Sequence, residues 1–156
     1  MPKRSDAETR FRAGPRNARK HDARNKKMVR DSLAEVGAFR SIAVDGEGIV
    51  RAGNATFAEA LALGYKIKPV EAAPDELIAV VRKDLKGKKA ERAALLDNRT
   101  QETSTWDAEY MQSLAGDDPE LLDGMFTGDE LLEFEALAWD QQNSDGASGY
   151  SAMRNE

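Results

Sequence analysis
The stretch "IVRAGNATFAEALALGY", residues 49–65, restricts the fold more than any other part of the chain. It passes from a short β-type run to an apolar helix through Gly53 and Asn54, and the helix stops at Gly64. A glycine turn that leads a strand into a helix N-terminus presents unpaired backbone N–H groups, which favour an anion such as a phosphate. The same residues also suit a plain tight turn, with Asn as a helix cap. Just before it, "SIAVD" (41–45) alternates Ile42 and Val44 on one face. "DGEG" (45–48) is turn chemistry and "IVRA" (49–52) returns, so a hairpin feeds the glycine turn.

Around this centre the chain reads helix, hairpin, helix, strand, strand, then helices. Met28, Val29, Leu33 and Val36 recur at helical spacing, and Gly37 suits the cap that ends that helix. "YKIKPVEAAP" is strand-like although Pro69 weakens it, and "LIAVV" favours a strand at 77–82. Residues 87–102 read as a helix with Ala90, Ala93, Ala94 and Leu95 inward. Two more helices follow, Trp106 to Leu114 and Asp129 to Trp139, the last capped by Thr127 or Asp129. Trp106 and Trp139 are read as packing anchors. Strands early and helices late predict an α+β fold, a small mixed β-sheet with packed helices and a helical C-terminal extension.

The charge is polarised. Residues 1–30 hold 11 Lys/Arg against 3 Asp/Glu, whereas residues 91–156 hold 3 against 16. Residues 1–16 read as a flexible basic arm and 140–156 as a disordered tail, enclosing a domain at 17–107 and an acidic helical extension at 108–139. A basic arm attracts nucleic-acid phosphates, and Arg19, Lys20 and Arg24 are the candidate DNA contacts; a solvated basic face reads equally well. No cysteine is present, so thiolate metal sites and cysteine nucleophiles are excluded. The single histidine, His21, makes a histidine-based zinc site improbable and reads as a surface residue. The N-terminus has no apolar secretory region and no run is long enough to span a membrane; a cytoplasmic location is expected.

Taken in order, "SLAEVG", the hairpin, "AGN", the Ala-rich helix ending "LG", and the later "DNRT" and "WD" resemble the N-terminal domain of the ParB/sulfiredoxin-like superfamily, often called the ParB-like nuclease domain. The resemblance covers about residues 17–107 and is nearest to the stand-alone domains of phages, plasmids and DNA-modification loci. It implies a nucleotide site, with magnesium and CTP or ATP/ADP. In partition proteins a strand-to-helix motif G-E-R-R wraps the triphosphate, and a later E-N-x-Q-R motif helps to hold the magnesium-triphosphate. The first falls here on Gly53, Asn54, Ala55 and Thr56, and the second on Asp97, Asn98, Arg99 and Thr100. Ala55 and Thr56 thus stand where the family's phosphate-holding arginines would be. By this resemblance Gly53, Asn54, Ala55, Thr56, Asn98 and Arg99 bind nucleotide, Asp97 holds the metal, and Glu35 is the candidate catalytic base of a kinase-like branch. The sulfiredoxin activity itself needs a cysteine and is excluded.

The expected function is a nucleotide-binding, possible NTPase, domain that serves DNA partitioning, modification or a phage process. One alternative is a metal-dependent nuclease built from Glu35, Asp45 and Asp97. The other is a non-catalytic adaptor that binds a protein partner or self-associates.

Overall fold
The computed structural model describes the backbone of residues 10–122 and 124–151. Two compact units divide the chain, Met1–Thr105 and Trp106–Glu156. The arrangement is mixed α+β, as the sequence predicts.

In the first unit, β1 (Arg12–Ala13) and β2 (Arg19–Lys20) precede α1 (Ala23–Val36). Asp22 starts α1 by accepting the Asn25 N–H at 2.6 Å, a standard N-cap bond. Gly37 ends it at φ 75°, and its N–H returns to the Leu33 carbonyl. The hairpin follows as β3 (Ala43–Val44) and β4 (Ile49–Ala52), then α2 (Asn54–Ala62). β4 is the centre of a three-stranded sheet in the order β1-β4-β3, antiparallel to β3 and parallel to β1. Arg12 lies opposite Ile49 and Ala13 opposite Val50. Part of the stretch expected to be a flexible arm is therefore tied into the sheet, because β4 offers it an unpaired edge; residues 1–9 of that arm lie outside the described residues.

α3 (Lys88–Glu102) completes the unit. Val29, Leu33 and Val36 of α1, Ile49 and Val50 of β4, Phe57 of α2 and Ala93 of α3 form its core. The inward face of α3 differs from expectation. Ala93 is buried, Leu96, Asp97 and Thr100 are half-buried, and Leu95 is exposed. One face at i, i+3, i+4 and i+7 turns Asp97 and Thr100 inward, while Leu95 lies 100° round the helix from Leu96. Side chains also clamp α1 to its neighbours. Arg30 bonds buried Glu59 of α2 at 2.6 Å, and the Tyr65 hydroxyl donates to the Leu33 carbonyl at 2.6 Å.

The strands expected in "YKIKPVEAAP" (65–74) and at 77–82 are absent: between α2 and α3 the chain holds only turns and irregular structure. β-propensity describes a fit to a paired, half-buried surface, and here no neighbouring strand supplies the pairing. The segment is fixed instead through Arg82, which donates to the carbonyls of Val36 and Ala38 at 2.8 and 2.7 Å. That places a cation on the C-terminus of α1, where the helix dipole favours it.

The second unit begins within β5 (Thr105–Trp106) and contains α4 (Ala108–Asp117), a 3₁₀ turn (Pro119–Leu122) and α5 (Gly128–Ser151). Asp107 caps α4. Thr127 and Glu130 form a reciprocal capping box at the start of α5. Trp106, Phe126 and Phe134 meet edge to face, with ring centroids 5.4–6.2 Å apart. Trp106 is thus the packing anchor expected of it. Trp139 is not: it is exposed, because Ala138 beside it takes the inward position. α5 continues to Ser151, past the point where composition predicts order to end; residues 152–156 of that tail lie outside the described residues. Among the described residues, no helix is long and apolar enough to cross a membrane.

Candidate functional site
Gly53 adopts a left-handed conformation, φ 82° and ψ 30°, between β4 and α2. A Cβ there would meet the Ile42 side chain at 2.9 Å, so glycine is required by both backbone and space. Asn54 does not cap the helix. Its Oδ1 accepts the Gly14 N–H at 3.0 Å and ties the chain after β1 to the turn. No side-chain bond caps α2. The first N–H groups of the helix therefore stay available to a ligand.

These groups open on a cavity of about 360 Å³ in the first unit. Gly53, Asn54, Ala55 and Thr56 form one wall and Asp97 and Thr100 another. Two arginines that the sequence reading did not single out, Arg40 and Arg51, line it together with Arg19. Asp97 is the one acidic residue among the described lining residues. Its oxygens are engaged by Arg40 at 3.3 Å and by the Gln101 amide at 3.2 Å. Arg51 bonds Asp45 at 2.6 Å. Asp45 also accepts the N–H groups of Ile49 and Glu47, which shapes the hairpin turn. The Ile49 bond, above all, holds the Asp45 carboxyl below the usual aspartate range, and Arg51 adds to the effect.

His21 lies at the cavity rather than on open surface, and its Nδ1 is 2.6 Å from Asn25 Oδ1. Asn25 is fully buried, and its amide donates to the Thr100 carbonyl and the Thr103 hydroxyl, both at 2.7 Å. With both amide protons so used, Oδ1 is the acceptor and His21 Nδ1 carries the proton. Asn25 thereby joins the start of α1 to the end of α3 and fixes the wall that bears Asp97. Its only sequence signal is a polar residue four positions before Val29 on the apolar stripe.

The remaining candidates lie elsewhere. Asn98 is exposed, and Arg99 pairs with Glu102 at 3.1 Å on the outer face of α3; neither lines the cavity. Glu35 and Arg24 line a separate shallow groove. Glu35 takes a bidentate bond from Arg92, which holds its carboxyl below the usual glutamate range and weakens it as a base. Lys20 is exposed on β2. Among the described residues, no three His, Cys, Asp or Glu side chains come together to hold a metal ion.

No protein-family model, curated protein or solved structure matches the chain.

Proposed function
We propose that the first unit is a nucleotide-binding domain of the ParB-like kind, taking phosphates at the uncapped start of α2. One observation carries this reading: Gly53–Thr56, Asp97 and three arginines line one cavity although they come from four separate stretches of chain. Backbone N–H groups at a helix N-terminus and guanidinium groups are the two commonest ways of holding phosphate oxygens. Arg40 and Arg51 supply the cations that Ala55 and Thr56 do not. Thr56 adds a hydroxyl, and Phe39 and Val29 add an apolar surface for the rest of the ligand.

The donor set suits a phosphate that brings its own cation better than it suits a free metal ion. Asp97 would hold the magnesium, with phosphate oxygens and water as the other ligands, an arrangement magnesium often adopts. Such a ligand draws Arg40 from Asp97 towards phosphate and leaves that carboxylate to the cation. A metal-dependent nuclease needs clustered carboxylates. Glu35, Asp45 and Asp97 instead sit on three different arginines, Arg92, Arg51 and Arg40. The nucleotide reading is therefore preferred.

Calorimetric titration of CTP, ATP and ADP with magnesium tests the proposal. Heat of binding is expected, with an affinity that falls in Arg40→Ala. A folded protein that gives no heat with any of the three overturns it.

A further inference from the structure
His21 is the single histidine of the chain, and it borders the cavity. One bond sets its ring. Nδ1 donates to Oδ1 of Asn25 at 2.6 Å, and the Asn25 amide protons go to the Thr100 carbonyl and the Thr103 hydroxyl. Asn25 therefore offers the ring an acceptor and nothing else, whether the imidazole is neutral or charged. Any proton that His21 gains or loses is then carried by Nε2. No described residue bonds Nε2. Among the described residues no buried side-chain nitrogen or oxygen lacks a partner, so Nε2 is accessible. A buried amide thus holds a titratable ring at the cavity with its far nitrogen open.

The same bonds place His21 beside the wall that bears Asp97. Asn25 reaches the Thr100 carbonyl, and the Thr100 hydroxyl donates to the Asp97 carbonyl. The charged groups around the cavity are Arg19 of β2, Arg40 before β3, Arg51 of β4 and Asp97 of α3. Arg19 donates to the Ser104 carbonyl at 3.2 Å, Arg40 pairs with Asp97, and Arg51 holds Asp45. Of the chain neighbours, Lys20 is exposed on β2 and Asp22 accepts the Asn25 N–H. A polyphosphate bound among these groups brings negative charge that favours a protonated imidazole. We infer that His21 is the proton-dependent phosphate contact of this site: as the ligand binds, Nε2 takes a proton from solvent and with it hydrogen-bonds a phosphate oxygen. This rests on the phosphate-binding reading of the cavity. It adds that affinity rises as pH falls through the neutral range.

A single imidazole gives a single set of ring signals, so nuclear magnetic resonance of the isotope-labelled full chain reads His21 directly. Without ligand, the neutral ring carries its proton on Nδ1. Magnesium with ADP, or with pyrophosphate, moves the titration midpoint of the ring to higher pH. Calorimetry in buffers of different ionisation enthalpy shows the wild type taking up a fraction of a proton that His21→Asn does not. That substitution keeps a δ-nitrogen to donate to Asn25 and removes Nε2. It weakens binding about tenfold at about pH 6 and less than about twofold at about pH 8.5. The ring titration needs the wild type alone, so it decides even if His21→Asn fails to fold. A ligand that binds without moving the midpoint, with His21→Asn equal to wild type at both pH values, overturns the inference and leaves the nucleotide reading standing. Pyrophosphate that binds with the shift, where no nucleotide binds, keeps the His21 contact and overturns the nucleotide reading. Silence with every ligand at every pH overturns both.

Discussion

Asn25 shows how one side chain holds a site it does not touch. It is fully buried and satisfied on both sides of its amide, by His21 and by the end of α3. Asn25→Ala leaves the Thr100 carbonyl and the Thr103 hydroxyl short of a partner, and we expect a loss of about 2–3 kcal/mol in urea unfolding. Arg40 makes a different kind of contribution. It is half-exposed and pairs with Asp97, so its removal costs little stability. On the proposed function, Arg40→Ala weakens magnesium-nucleotide binding by about 10- to 100-fold, the range for losing a charge-assisted bond. Calorimetry read beside the melting curve separates the two residues: Asn25→Ala lowers stability first, Arg40→Ala affinity alone. At Gly53, an alanine is strained by the left-handed backbone and also meets Ile42. Gly53→Ala should cost at least about 1–2 kcal/mol from the backbone conformation alone.

At the scale of elements, the hairpin that feeds the turn depends on Asp45. The carboxylate accepts two backbone N–H groups and holds Arg51, so its folded pKa lies below the unfolded value. The sign follows from linkage. A group with a lowered folded pKa contributes stability that is present in full above its unfolded value, about 3.9 for aspartate, and lost as pH falls through the folded one. Asp84 behaves alike, held at about 2 by its hydrogen bond from Arg82. Wild-type stability should therefore fall from about pH 5 downward, and Asp45→Asn should make that acid limb shallower. Denaturant midpoints measured at several pH values give the comparison; parallel limbs would show that the Asp45 charge does not support the hairpin. α2 illustrates the other side of element design. It is stopped by Gly64 at φ 75° but left without a side-chain cap at its start, the end that faces the cavity.

Over the whole molecule, each unit has a hydrophobic core of its own. Val50 and Phe57 belong to the first and Met111, Phe134 and Ala138 to the second. Phe134→Ala removes a ring from the aromatic cluster, at about 3–5 kcal/mol, without touching the cavity. Nucleotide affinity should stay within about twofold of wild type, since Phe134 belongs to the second unit and every residue that lines the cavity to the first. Hydrogen exchange should show faster opening across α4 and α5 and unchanged protection in β4. Loss of protection in both units would instead show that they unfold as one.

What the sequence determined by itself was whatever depends on neighbours along the chain. The stripe from Val29 to Val36, the Gly37 stop, the hairpin at 43–52 and the glycine turn before α2 all follow from local periodicity and turn chemistry. Tertiary structure decided what depends on partners far away in sequence. It made Asn54 a tie to Gly14 rather than a cap, and placed His21 at a cavity rather than on open surface. It brought Arg40 and Arg51 beside Asp97 while leaving Asn98, Arg99 and Glu35 outside that cavity. It left "LIAVV" without a strand, although its residues suit one. A strand needs a second strand, and a binding site needs side chains from several elements. Neither requirement can be read along one dimension, because the pairing is made only when the chain closes on itself.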